Sequence, residues 1–197
     1  MYKKIYFLEE PGCKSRGGYP NGLPDSLYPR YERFLEDNVS VIAEDPSNDN
    51  LICGVMVSTI VKKSAGDVPK ATYDEMLKEL PETHAMINLV CDDSIHPSDF
   101  FQKFPQSQKI VDLFALGVHK DYKRRGIASA LVQKSIEASK SQGCDGALII
   151  ATSKYTNNIA KKLDMNLYRT VYWRDYFGWF PEEKMPCPEV NSYYMFY

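Results

Sequence analysis

The chain lacks the signals that mark a membrane protein, a metal centre or a nucleoside triphosphate fold. No run of about 18 apolar residues occurs, the length a spanning helix needs. The start, Met-Tyr-Lys-Lys-Ile-Tyr-Phe-Leu-Glu-Glu, turns acidic too soon for the apolar core of a secretion signal. A cytoplasmic protein without a membrane partner is expected. The five cysteines, Cys13, Cys53, Cys91, Cys144 and Cys187, are odd in number, widely spaced and without a C-x-x-C pair, so reduced thiols are expected. His84, His96 and His119 lack ligand spacing, which predicts no bound metal. Neither G-x-x-x-x-G-K-[ST] nor G-x-G-x-x-G appears, disfavouring triphosphate and dinucleotide chemistry. With 24 Lys and Arg against 26 Asp and Glu, net −2, no overall positive field is available to attract nucleic acid.

What remains is an ordinary soluble composition, 44% hydrophobic and 25% charged over 197 residues, enough for one domain spanning 1–197 with a real core. Alternation around Val39–Ala43 and from Leu51 to Val61, separated by Asp45-Pro-Ser-Asn-Asp-Asn50, predicts a β-hairpin. Helical spacing at Tyr73, Met76, Leu77 and Leu80 predicts a helix within 72–90, and a shorter one follows Ser98. Together they form a helical insertion over about 64–108, of a length that is usually functional or lid-like. A strand from Val111, a helix over 127–142 closed by Gly143, and the buried-type strand Ala147–Ala151 make a β-α-β crossover. A helix over Asn157–Leu163 and strands at Leu167–Trp173 and Asn191–Tyr197, joined through the proline-rich 181–188 connection, complete an α/β (α+β) reading.

The most informative stretch is 111–131, where an apolar strand ends in a basic turn that opens into an amphipathic helix. The first N–H groups of a helix have no intrahelical partner and carry partial positive charge, so the turn from Asp121 to Gly126 suits a pyrophosphate. Gly126 lets backbone approach phosphate closely, and Lys123, Arg124 and Arg125 add charge. Gly117, a glycine in an apolar strand, predicts a bulge or a place where a ligand lies against backbone.

Lys123-Arg-Arg-Gly126-Ile127-Ala128 resembles the acetyl-coenzyme A signature [QR]-x-x-G-x-[GA] of the GNAT N-acetyltransferases, with lysine at the first position. The resemblance is strongest from Val111 to Tyr176. It implies a GNAT fold: a mixed, mostly antiparallel sheet whose fourth and fifth strands run parallel and splay apart around acetyl-coenzyme A, which is the expected co-substrate. The implied donor-binding set comprises Leu116, Gly117, Val118, Lys123, Arg124, Arg125, Gly126, Ile127, Ala128 and Ser129, with the signature region at 111–142. A backbone N–H near Leu116–Val118 is the natural partner for the thioester oxygen as it gains charge.

More narrowly the chain is similar to insect-type arylalkylamine N-acetyltransferases, whose S-S-x-x-S stretch corresponds to Thr152-Ser153-Lys154-Tyr155-Thr156, and whose acidic D-E-P-L segment corresponds to Glu9-Glu10-Pro11. An amine with a pKa of about 10.4 is only about 0.1% neutral near pH 7.4, so a general base is required. The resemblance assigns that role to Glu10, with Glu9 and His119 as alternatives, and thiolate protonation to Thr152, Thr156 or Tyr155; a threonine there is also a plausible helix cap. Leu163-Asp-Met-Asn166 replaces the family's usual ending, so no tyrosine occupies its general-acid position. Only nine residues precede Glu10, which predicts loss of the family's first strand and an unpaired edge near Val39–Ala43. The expected activity is acetyl transfer to a small arylalkylamine such as dopamine, tyramine, octopamine or serotonin, by a protein read as a monomer. The alternatives are a polyamine, amino-acid or protein-amine acetyltransferase, and a coenzyme A-binding module without turnover.

Overall fold

The computed structural model describes residues 28–63, 97–176 and 187–197. Glu9, Glu10, Cys13, His84, Cys91, His96, Trp179, the helix expected within 72–90 and most of the 181–188 connection lie outside the described residues. In chain order the elements are α1 (Tyr28–Glu36), β1 (Val41–Asp45), β2 (Leu51–Lys62), α2 (Pro97–Lys103), β3 (Lys109–Val118), α3 (Ile127–Ser141), β4 (Gly146–Ala151), α4 (Lys154–Lys162), β5 (Asn166–Tyr172) and β6 (Glu189–Phe196), with single helical turns at Lys120–Tyr122 and Trp173–Tyr176.

Six strands form one sheet in the order β1-β2-β3-β4-β6-β5. Every neighbouring pair is antiparallel except β3 and β4, the pair joined by the α3 crossover. β1 has β2 on one side and, among the described residues, no strand on the other. The hairpin turn is set by Asp45, whose Oδ1 accepts from Ser47 N at 2.9 Å and Ser47 Oγ at 2.6 Å, and by Asp49 and Asn50 in left-handed backbone.

Both faces of the sheet are covered. Met56, Val111, Leu113 and Ile149 pack under Leu131, Val132 and Ile136 of α3 and Ile159 and Ala160 of α4. Ile110 and Leu148 pack on the opposite face against Phe100 and Phe101 of α2. Double coverage explains why Ala147–Ala151 reads as an unbroken apolar run rather than an alternation. Each of Leu131, Val132 and Ile136 contributes about 1.5–3 kcal/mol of burial, fixing α3 on the sheet.

The register irregularity expected at Gly117 lies elsewhere. Gly117 sits in regular register opposite Val55, whereas Leu113 and Phe114 together oppose the single residue Ser58. The extra residue shifts the alternation, so Val111 and Leu113 before it and Leu116 and Val118 after it all face the α3 side. A strict period of two would have turned one of those pairs outward; with the bulge, Val111 and Leu113 are buried and Leu116 and Val118 partly buried on one face. α4 also starts earlier than Asn157, at Lys154, because Ser153 caps it; its first turn is largely exposed and carries no apolar signal.

The thiols of Cys53, Cys144 and Cys187 are free and buried. Burial pushes the Cys144 and Cys187 thiols up, so neither is a ready thiolate. Among the described residues no helix is long and apolar enough to cross a membrane, and no cluster of His, Cys, Asp or Glu could hold a metal ion.

Candidate active site

α3 begins without a side-chain cap. Its N-cap is Gly126 at φ +80°, ψ −5°, a left-handed conformation that penalises any other L-residue. The first intrahelical bond runs from Ala130 N to Gly126 O at 3.1 Å, so the amides of Ile127, Ala128 and Ser129 precede the helical ladder. A Cβ placed on Gly126 would meet no atom within 4 Å. The glycine is therefore required by backbone conformation and not by crowding.

Lys123, Arg124, Arg125 and Gly126 are all exposed at this helix start. Arg124 is itself left-handed at φ +62°, which a side chain tolerates only under external restraint. Arg125 lies with Cζ 4.8 Å from the Tyr122 ring centroid and donates from Nη2 to Asp121 O at 2.9 Å. The turn is thus an ordered basic rim.

β3 and β4 pair only at Ile110–Asp112 against Gly146–Leu148. Beyond Asp112 β3 continues for six residues, to Val118, with no β4 partner, and the parallel strands diverge toward their C-terminal ends. On the β2 side, His119 N donates to Cys53 O at 2.8 Å. Alternation of an antiparallel ladder then makes Gly117–Val55 a hydrogen-bonded pair and directs the N–H and C=O groups of Leu116 and Val118 away from β2, into the wedge. Of the three residues expected to present an N–H there, Leu116 and Val118 do so, while the Gly117 amide is turned toward β2.

Thr152 follows β4 directly, so it sits at the same edge of the sheet as Val118 and the basic turn, on the other side of the wedge. A ligand site outside diverging parallel strand ends is the usual outcome of such topology. Thr152 is half-buried, and its hydroxyl has no partner among the described residues. Thr156 differs: Ser153 Oγ accepts from its N–H at 3.2 Å and lies 3.0 Å from its Oγ1. The cap of α4 is therefore Ser153 rather than either threonine. Tyr155 is 71% exposed. Beneath α4, Asn157 Oδ1 accepts from Asn191 Nδ2 at 2.9 Å and from Tyr193 Oη at 2.8 Å, anchoring this helix start to β6.

His119 serves as a turn cap: its Nδ1 accepts from Asp121 N at 3.4 Å. The same Nδ1 lies 3.7 Å from Asp121 Oδ2, so this face of the ring is directed at its own turn. Glu10 lies outside the described residues. Of the aromatic residues after α4, Trp173 is buried, Tyr168 stacks within the Phe100–Phe104–Tyr194 ring cluster, and Tyr172 is exposed beneath Arg174.

Two contributors escaped the sequence reading. A Cβ on Gly54 would lie 2.9 Å from Leu131 Cδ1 and 3.0 Å from Ile127 Cγ2, so this glycine lets the first turn of α3 settle onto β2. A glycine interrupting the alternation Cys53, Val55, Val57 is a legible signal of close approach. The other is Tyr122, whose hydroxyl bonds Asp45 across 77 residues of sequence, and for which no local pattern exists.

The acetyltransferase (GNAT) family profile matches residues 71–171. Among solved structures, arylalkylamine N-acetyltransferase 2 from Aedes aegypti superposes with a TM-score of 0.82 at 22% identity, covering 98% of this chain and 90% of that one. A mosquito arylalkylamine N-acetyltransferase-like 5b gives 0.78 at 20% identity over 99% and 91%. A Drosophila melanogaster polyamine N-acetyltransferase that forms N-acetylagmatine gives 0.77 at 16% identity over 99% and 91%.

Proposed function

We propose that this chain, which belongs to the acetyltransferase (GNAT) family and takes acetyl-coenzyme A as its donor, acetylates the primary amine of a small arylalkylamine of the dopamine, tyramine, octopamine or serotonin type. The observation that carries the donor half of this reading is the wedge, and the aryl acceptor is supported by the likeness to the arylalkylamine N-acetyltransferases. One strand presents the outward amides of Leu116 and Val118, the uncapped N-terminus of α3 lies at its end, and Thr152 follows the strand on the other side of the gap. These residues fit the donor, because an exposed N-cap at φ +80° with no side-chain cap leaves the first amides of α3 to a diphosphate.

In this mechanism the amides of Gly126, Ile127, Ala128 and Ser129, with Lys123, Arg124 and Arg125, hold the donor's phosphates. Leu116 and Val118 hydrogen-bond its extended arm in the manner of an added strand, and a Leu116 or Val118 N–H stabilises the thioester oxygen as it becomes negative. Glu10 takes a proton from the ammonium, and the neutral nitrogen attacks the thioester carbon. The C–S bond breaks as the C–N bond forms, and the thiolate accepts a proton delivered through Thr152 or Thr156. Thr152 is the better placed, since its hydroxyl has no competing partner among the described residues. The reaction needs no metal, and a cytoplasmic setting supplies the donor.

The deciding experiment offers purified protein acetyl-coenzyme A with tyramine, dopamine, serotonin, agmatine, spermidine and an amino-acid panel, and follows release of thiol. The expected result is turnover with the aryl amines, slowed about 100-fold or more by Glu10→Gln. Turnover confined to agmatine or spermidine would replace the acceptor, and coenzyme A binding without turnover on any amine would leave only a binding module.

A further inference from the structure

The basic turn is tied to a distant part of the sheet. Tyr122 Oη donates to Asp45 Oδ2 at 2.7 Å and accepts from Asn48 Nδ2 at 3.2 Å, both partners belonging to the β1–β2 hairpin turn. Asp45 is already oriented, because its Oδ1 accepts from Ser47. Hydrogen bonds from Ser47 and then Tyr122 hold its carboxyl below the usual carboxylate range, so it is charged at neutral pH. The groups facing Tyr122 from the packed elements are Asp45 and Asn48 of the hairpin and His119 and Arg125 of its own turn. The His119 ring stands edge-on at 5.8 Å, and the Arg125 guanidinium lies over the tyrosine face.

This arrangement answers a mechanical problem. Arg124 and Gly126 are both left-handed, in an exposed stretch that enters α3 without a side-chain cap at Gly126. An arginine in that conformation relaxes unless neighbouring structure holds it, and Tyr122 lies only two residues away. Its two handles act on different parts of the turn, the hydroxyl anchoring backbone to the hairpin and the ring supporting Arg125.

We propose that Tyr122, Asp45 and Asn48 form a clip that positions the donor's phosphate site, making the β1–β2 hairpin turn part of the donor-binding apparatus. The inference rests on the reading of the basic turn as that site. These are positioning residues: they touch the turn and not the donor. The clip acts on the phosphate end alone, so its loss raises the requirement for donor while leaving the acetyl-transfer step intact.

The test compares wild type with Tyr122→Phe, which keeps the ring beneath Arg125 and removes both hydrogen bonds, and with Tyr122→Leu, which removes the ring as well. Coenzyme A binding is measured by calorimetry, and turnover with acetyl-coenzyme A and with S-acetylpantetheine, which lacks the diphosphate. For Tyr122→Phe the expected result is a threefold to tenfold rise in coenzyme A Kd and acetyl-coenzyme A KM, about the size of one ordinary net hydrogen bond. kcat should stay within about twofold, and kcat/KM for S-acetylpantetheine should not change. Tyr122→Leu should weaken binding further, and Asp45→Asn, which preserves an acceptor, should fall between wild type and Tyr122→Phe. Wild type that fails to bind coenzyme A overturns the donor-site reading itself. Wild type that binds, with Tyr122→Phe binding equally well, overturns the clip alone. An equal loss with S-acetylpantetheine also overturns it, by showing a general structural role.

Discussion

The two helices α3 and α4 lie on the same face of the sheet, end in the same way and begin in opposite ways. At their C-termini each makes the paired backbone bonds of a Schellman turn: Gly143 N to Lys140 O and Cys144 N to Ser139 O in α3, Asp164 N to Lys161 O and Met165 N to Ala160 O in α4. At their N-termini, Ser153 starts α4 from extended backbone at φ −134° and closes it with its own hydroxyl, whereas Gly126 starts α3 from left-handed backbone and leaves its first amides without a side-chain partner. Identical ends show that both helices obey the same local rules. The beginnings differ in what closes them: α4 is capped from within by Ser153, and α3, the start proposed to hold the donor, has no side-chain cap.

Of the two helix starts, breaking the open one should have the larger effect. Gly126→Ala introduces no clash, so its consequence is conformational: the N-cap rotates out of the left-handed region and takes the amides with it. Acetyl-coenzyme A KM is expected to rise about tenfold or more, matching the roughly 1–2 kcal/mol cost of that conformation. An unchanged KM would show that the amides do not bind the donor. Removing the closed start is the counterpart. Ser153→Ala should lower stability by about 1 kcal/mol, a shift of about 2–4 °C in Tm, with acetyl-coenzyme A KM within about twofold. A large KM change there would erase the contrast between the helices.

Arg124 separates charge from backbone. Arg124→Ala and Arg124→Gly lose the same guanidinium, so both should raise acetyl-coenzyme A KM similarly. Only alanine keeps the left-handed penalty, so the glycine variant should be the more stable by about 1 kcal/mol in denaturant unfolding. Equal stabilities would mean that the turn is unstrained. The smallest effect is expected at the matched ends. Asp164 stands at φ +54° where α3 uses Gly143 at φ +74°, and Asp164→Gly should gain about 0.5–1 kcal/mol in thermal unfolding without touching kinetics.

Much of this architecture was legible in the residues. The alternation of β2, the apolar spacing of α3 and the stop at Gly143 are strong local signals, and the observed bounds fall within a few residues of those expected. The start of α4 was less so, because a capping hydroxyl sets it and an exposed first turn carries no apolar pattern. Gly117 is the glycine of β3, yet the bulge lies at Leu113–Phe114, where packing Val111, Leu113, Leu116 and Val118 against the same face sets the register. Of the candidate site, the basic turn and the helix start were visible as one contiguous motif. Thr152 and Thr156 share a sequence stretch but differ in environment, one hydroxyl without a partner among the described residues and the other beside Ser153.

By itself the sequence determined the elements that depend on neighbours in the chain: strand alternation, helix periodicity, and a glycine with three basic residues at the mouth of a helix. Only the tertiary structure decided the divergence of β3 from β4 after Asp112, the outward aim of the Leu116 and Val118 amides, and the bond from Tyr122 to Asp45. The reason is range. Local conformation is set by contacts a few residues apart, whereas a wedge between strands and a hydrogen bond across 77 residues exist only once the whole sheet has closed around its core.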